Sequence, residues 1–275
     1  MSFKLGINAE AYSKATIEEN IPAIANAGFD AFFTEWTLDA PIKEWAKIGE
    51  KNGLIYQSIH APFKYVNQIW YGSDAGKEYV ELLKKCVDDC VSVNVPLMII
   101  HPFIGFKEHE PTEIGLEFYG KIIDHAEKKG ILLGFENVEG EEYLAAIMER
   151  YRDNPTVRFC WDTGHEQCYN LGKDMMAIYG DRLAGTHFND NKGCIDKNDI
   201  TWKDDLHLFP FDGIVDWQGV MDRIHRNGYE GILTFELTLR AKPDRDTSLH
   251  DFYATMSNKE FYREVYNRAK RIAAL

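Results

Sequence analysis

Six residues of metal-ligand type stand at one kind of place in this chain, the point where an apolar run stops. VRFCWD ends on Asp162, and His165 follows three residues later. A carboxylate or imidazole at such a half-buried position needs a partner or a ligand. His60 likewise closes LIYQSIH, His101 closes LMIIH, Glu136 follows ILLGF, His187 follows RLAGT and Glu236 follows GILTF. An Asx turn from Asp162 onto Gly164 would explain that one stretch, but it does not explain six in succession. Eight strand ends of about four residues would cover roughly 32 positions, so about one of the nine histidines should fall there by chance, against four found (His60, His101, His165, His187). Strand side chains alternate between faces, so the residue two before each ligand shares its direction. Those residues are Ser58, Gly134, Cys160, Gly185 and Thr234, all small, whereas Phe135, Trp161 and Phe235 between them are large. A layer holding an ion and polar ligands needs small residues beneath it.

Sorted by type, Glu136, Asp162, His187 and Glu236 form an oxygen-rich set suited to one divalent ion, Mn²⁺, Mg²⁺, Co²⁺ or Zn²⁺. Such a set leaves coordination positions open for substrate oxygens. Imidazoles at His60 and His101 can bind substrate hydroxyls instead of metal.

The elements that must position these residues alternate regularly. Strand-like runs fall at 3–8, 29–36, 54–60, 97–101, 131–137, 157–162, 182–188 and 231–237. Helix-like stretches lie between them, among them Thr16–Ala27, Lys77–Val93, Glu113–Lys129 and Glu141–Tyr151, and several end in NAG, KNG or KKG. Eight strand–helix alternations with no linker predict a (β/α)8 TIM barrel in a single domain over residues 1–275. A doubly wound sheet would want a Gly-rich phosphate turn after the first strand, and GINAEAYS is not one.

Composition narrows the partners. The net charge is −13, from 44 acidic and 31 basic residues with no basic run, so nucleic acid is not the expected ligand. No long apolar stretch or secretory segment occurs, and a soluble, cytoplasmic protein with no membrane partner is expected. A homo-oligomer stays open. The five cysteines form no CxxC pair and read as packed free thiols.

GFENVEG (134–140), WDTGH (161–165), GTHFNDN (185–191), DDLHLFPFDGIVDW (204–217) and TFEL (234–237) resemble the xylose isomerase-like TIM barrel superfamily, the sugar phosphate isomerases and epimerases that also include type IV apurinic endonucleases. In its ketose 3-epimerases, the positions matching Glu136, Asp162, His187 and Glu236 hold one divalent ion. The two glutamates there also move protons, and the residue matching His165 touches the sugar. The resemblance therefore implies a small-molecule sugar substrate, with His60, His101, His165 and His207 as its contacts. The reaction implied is proton transfer beside a carbonyl through an enediolate. The endonucleases imply an alternative with three zinc ions, in which His60, His101, His165, Asp205 and His207 are further ligands. A metal-dependent dehydratase or lyase on a keto-sugar or keto-cyclitol is another alternative, and a metal-dependent carbohydrate-binding barrel is the non-enzymatic one. The sequence departs from the family at LFPFDG, where Phe211 replaces a usual glycine and is expected near the site mouth. The segments 189–215 and 238–257, with Trp202, Phe209, Phe211 and Phe252, are expected to close over the site. Phe63, Tyr65, Trp70 and Tyr71 are expected to offer stacking faces.

Overall fold

Runs of β-branched and aromatic residues that would be insoluble on their own are buried here on both faces, the usual condition of a parallel sheet. The computed structural model describes residues 3–107 and 110–275. Its eight strands are β1 Leu5–Asn8, β2 Ala31–Glu35, β3 Ile55–His60, β4 Leu97–Ile100, β5 Leu132–Glu136, β6 Val157–Asp162, β7 Leu183–His187 and β8 Leu233–Phe235. They pair in parallel in the order β7-β6-β5-β4-β3-β2-β1-β8. The circle closes between β7 and β8 with little ladder: Phe188 N–H donates to Thr234 O at 2.8 Å and Glu236 N–H to Phe188 O at 3.1 Å. The Thr186 hydroxyl fills in as one more rung, accepting from Thr234 N–H at 2.8 Å. The expected TIM barrel is thus the observed architecture.

The helices between the strands are α1 Ile17–Ala27, α2 Ile42–Lys51, α3 Asp74–Ser92, α4 Glu113–Lys129, α5 Glu141–Arg150, α6 Thr163–Cys168, α7 Met175–Tyr179, α8 Trp217–Arg226, α9 Ser248–Tyr253 and α10 Asn258–Ile272. Thr16 and Glu19 form a capping box at the start of α1, and Gly28 ends it at φ 112°, as the NAG signal predicts. Helix α3 starts a turn earlier than the periodicity suggests, because the Ser73 hydroxyl caps it by accepting from Gly76 N–H. No long helix follows β6; the short α6 and α7 stand in its place. Among the described residues no helix is long and apolar enough to cross a membrane.

The barrel interior explains the small residues under the ligands. At Gly134 an added Cβ would lie 2.9 Å from Ile99 Cδ1, and at Gly185 one would lie 3.2 Å from Leu97 Cδ2. Leu97 and Ile99 of β4 therefore fill the centre with Cys160, and Ala184 packs against them. Two register shifts accompany this filling. Phe32 faces Tyr56 but Phe33 faces Ser58, leaving Gln57 as the extra residue of β3. Phe159 faces Leu183 but Cys160 faces Gly185, leaving Ala184 as the extra residue of β7.

Candidate metal centre

Every strand from β3 to β8 delivers its ligand-type residue to the C-terminal rim. His60, Glu136, Asp162 and His187 are the last residues of their strands, and His101 and Glu236 follow theirs by one. Ligand atoms of Glu136, Asp162, His187 and Glu236 lie within 4.8 Å of one another. His187 Nδ1 sits between the two glutamates, 3.1 Å from Glu136 Oε1 and 3.3 Å from Glu236 Oε2. Two further groups flank this one: His60, His101 and Glu136 on one side, and His165, Asp205 and His207 on the other. His60 Nε2 and His101 Nε2 approach Glu136 Oε2 to 3.4 and 3.3 Å. His165 Nε2 lies 3.5 Å from Asp205 Oδ1, and His207 Nε2 lies 3.0 Å from Asp205 Oδ2. The nine residues singled out in the sequence come together at one end of the barrel.

Supporting contacts aim these side chains. His60 Nδ1 faces Ala61 O at 2.8 Å and His207 Nδ1 faces Glu236 O at 3.0 Å, so each Nδ1–H is used on a carbonyl and Nε2 is turned to the site. Asp162 caps α6 through its Oδ1, which accepts from His165 N–H at 2.6 Å. Its Oδ2 accepts from Asn189 Nδ2 at 2.8 Å. The end of β6 is clamped by Asn137, which exchanges both hydrogen bonds with the Asp162 backbone at 2.8 Å. Asn8 does the same to Leu237 beyond β8, at 3.0 Å each way. The alternative of an isolated Asx turn on Gly164 does not hold, since Asp162 caps the first turn of α6 there and His165 is buried.

Electrostatics follow from this crowding. Burial pushes the Glu136 carboxyl up, but His187 beside it and contacts from His101 and His165 hold it well below the usual carboxylate range. Glu236 is pushed up by burial and brought down by His187 to about 2. At Asp162 burial prevails and moves the carboxyl up to about 7, against the pull of His165. Burial pulls His207 down, yet Asp205 raises it to about 9. At Glu136, Glu236 and His207 opposite charges make up for the water that burial removes, and at Asp162 they do not.

A divalent cation fits this arrangement. Glu136 Oε2, His165 Nδ1 and Asp205 Oδ1 are buried and lack a hydrogen-bond partner among the described residues. Two imidazole Nε2 atoms, of His60 and His101, face one another at 3.2 Å beside a carboxylate, a meeting that a shared cation would stabilise.

Several expectations for the mouth need correction. Phe209 is fully buried and stacks on Tyr253 with centroids 3.8 Å apart, so it cannot close over the site. Phe211, at a left-handed φ of 74°, packs under the Arg271 guanidinium at 4.1 Å and beside Trp217. Trp70 is buried, with its Nε1–H donating to Pro102 O at 2.7 Å. Phe63 does reach the site, stacked on His101 with centroids 4.5 Å apart, and Tyr169 stacks on His165 at 4.9 Å. Trp202, in a short 3-10 turn of the loop after β7, and Phe252, in α9, are half exposed.

Two carboxylates escaped the sequence reading. Glu10, beyond β1, accepts from Glu35 N–H through Oε1 at 2.9 Å and has its buried Oε2 without a hydrogen-bond partner. Burial, then Glu35 and Glu236, push it well above its usual range. Asp190 organises the loop after β7, its two oxygens accepting from the N–H groups of Asn191, Phe211 and Val215 and from Trp217 Nε1–H. The only signal for Glu10 was its place two residues past a strand end.

Comparison with known proteins agrees with the fold. The xylose isomerase-like TIM barrel family model matches residues 21–252. The uncharacterised protein y4fM of Sinorhizobium fredii is 26% identical over 260 residues, covering 80% of each chain. The structure of a D-allulose 3-epimerase from Methylomonas sp. in complex with D-allulose is similar at 17% identity and a TM-score of 0.70, over 99% of this chain and 96% of that one. The IolI protein with a zinc atom is similar at 14% identity and a TM-score of 0.75, over 98% of both chains.

Proposed function

The chain belongs to the xylose isomerase-like TIM barrel family, and we propose that it is a divalent-metal-dependent isomerase or epimerase of a sugar or sugar phosphate, working by proton transfer next to a carbonyl. The observation that carries this reading is the approach of Glu136 and Glu236, from strands β5 and β8, to the same His187 Nδ1, at 3.1 and 3.3 Å. Glu136, Asp162, His187 and Glu236 would hold the ion. When bound, it supplies Lewis-acid stabilisation of the negative charge that develops on the substrate's oxygens. Glu236 takes a proton from the carbon beside the carbonyl, and Glu136, reaching from the other side, returns one; a positioned acid or base of this kind is worth about 10²- to 10⁴-fold. His165 and His207 orient hydroxyl groups, and Phe63 offers an apolar face to a sugar ring. The D-allulose bound in the Methylomonas epimerase supports a ketose as the substrate class.

A second reading, incision of DNA at an abasic site by three zinc ions, draws on the central group and the two that flank it, His60, His101 and Glu136 on one side and His165, Asp205 and His207 on the other. The −13 charge and the lack of a basic run weigh against a DNA substrate.

The test is made on metal-loaded protein in heavy water with a panel of ketoses, aldoses and their phosphates. Deuterium should enter the substrate at a carbon flanking the carbonyl. Glu236→Gln and Glu136→Gln should each slow turnover by about 100-fold or more, because an amide cannot accept the proton. Metal content is measured for every variant, and a fully loaded double variant that turns over at the parent rate would refute these roles. Incision of an abasic duplex with no sugar turnover would favour the second reading.

A further inference from the structure

We propose that Lys242 is a tethered cation for the outermost ligand group, His165, Asp205 and His207, and that it keeps a further divalent ion out of that group. The inference rests on Glu136, Asp162, His187 and Glu236 being the ion-holding centre. Lys242 Nζ lies 3.3 Å from Asp205 Oδ2, the oxygen that also faces His207 Nε2 at 3.0 Å. A cation bound by this trio would need Asp205, and the ammonium already neutralises that carboxylate. Any divalent ion within ligand distance of Asp205 would stand beside a like charge, which it must displace.

The ammonium is delivered rather than loosely present. The Lys242 side chain is only 18% exposed, and its Nζ lies over the Trp202 ring at 5.6 Å from the centroid. The segment that carries it, just past β8, is laced to the loop past β7. Arg245 donates to the buried Asp204 at 2.7 Å, Lys203 to Asp244 at 2.6 Å and Lys192 to Asp246 at 3.1 Å. Exposed pairs of this kind contribute little singly, but together with the buried Arg245–Asp204 pair they fix where residue 242 can reach. His207 completes the trio from a left-handed backbone at φ 48°, a conformation that asparagine also tolerates. Among the described residues no lysine or arginine pairs with the flanking group of His60, His101 and Glu136, so the device acts on one side of the centre only.

The experiment counts zinc by mass spectrometry in the full chain after loading with excess zinc and dialysis. Lys242→Met should hold about one more tightly bound zinc per chain than the parent. Lys242→Arg, which keeps the charge, should hold the parent number, and adding His207→Asn to Lys242→Met should remove the extra ion. Far-UV circular dichroism confirms that each variant folds, and Lys242→Gln carries the same comparison if the methionine variant does not. An unchanged count in a folded Lys242→Met and Lys242→Gln overturns the proposal. So does a parent that loses one zinc on His207→Asn alone, since the group would then already be filled. A parent that takes up no ion at all instead refutes the metal-centre reading on which the proposal rests.

Discussion

His207 and Asp162 hold protons in the folded chain that the unfolded chain releases. His207 is raised to about 9 by Asp205, and Asp162 is lifted to about 7 by burial. For the histidine, the stability contributed is complete below its unfolded value near 6.5 and is lost as pH rises through about 9. For the carboxyl, the folded state keeps a proton between about 4 and 7 that the unfolded state has lost, so its contribution also declines as pH rises. Both act in one direction. Chelator-treated protein is expected to melt at a lower temperature at pH 9.5 than at pH 6.5, and a bound divalent ion should shrink the difference by taking the place of the protons. Scanning calorimetry across this range checks the point, and a metal-free melting temperature that climbs with pH contradicts it. The residues most legible in the sequence were those, like Asp162 and Glu136, that interrupt an apolar strand, because burial makes a charge there conspicuous. Glu10 and Asp190 were not legible, since they lie on loops where an acidic residue is ordinary and only the fold reveals what surrounds it.

The helix that follows β6 shows how an element aims a ligand. In α6, Gly164 leaves room for Asn189: an added Cβ would come within 1.9 Å of Asn189 Oδ1, while Asn189 Nδ2 holds Asp162 Oδ2. Gly164→Ala should therefore push Asn189 aside and release Asp162. Overpacking of this kind costs about 1–3 kcal/mol, and losing a partner of a metal ligand weakens metal affinity by about 10- to 100-fold. Competition with a chelating dye measures the second effect, and an unchanged affinity would show that Asn189 does not position Asp162. Alternation of strand and helix was legible because each strand must repeat the same inward and outward pattern. The extra residues Gln57 and Ala184 were not, because a bulge depends on which partner residue each one faces. Nor was the fate of Phe209 and Phe211, whose rings found Tyr253 and Arg271 on elements far along the chain.

At the scale of the whole molecule the barrel has a seam. The β7–β8 junction is carried by the backbone at Phe188 and by the hydroxyl of Thr186, whereas the pairs from β2 through β7 run for three or more residues of ladder. Glu136, Asp162 and His187 stand on one side of that seam and Glu236 on the other. An ion shared by the four would work as a staple across the weakest joint of the cylinder. Hydrogen–deuterium exchange reads this directly: amides of Leu233–Phe235 should exchange faster than those of β4 and β5 in metal-free protein, and metal should slow the former far more than the latter. Uniform slowing would mean that the ion stabilises the barrel as one unit. If the staple holds, chelation does more than silence the chemistry, because it leaves a cylinder able to unzip along one line, and the lifetime of the protein becomes tied to the supply of metal.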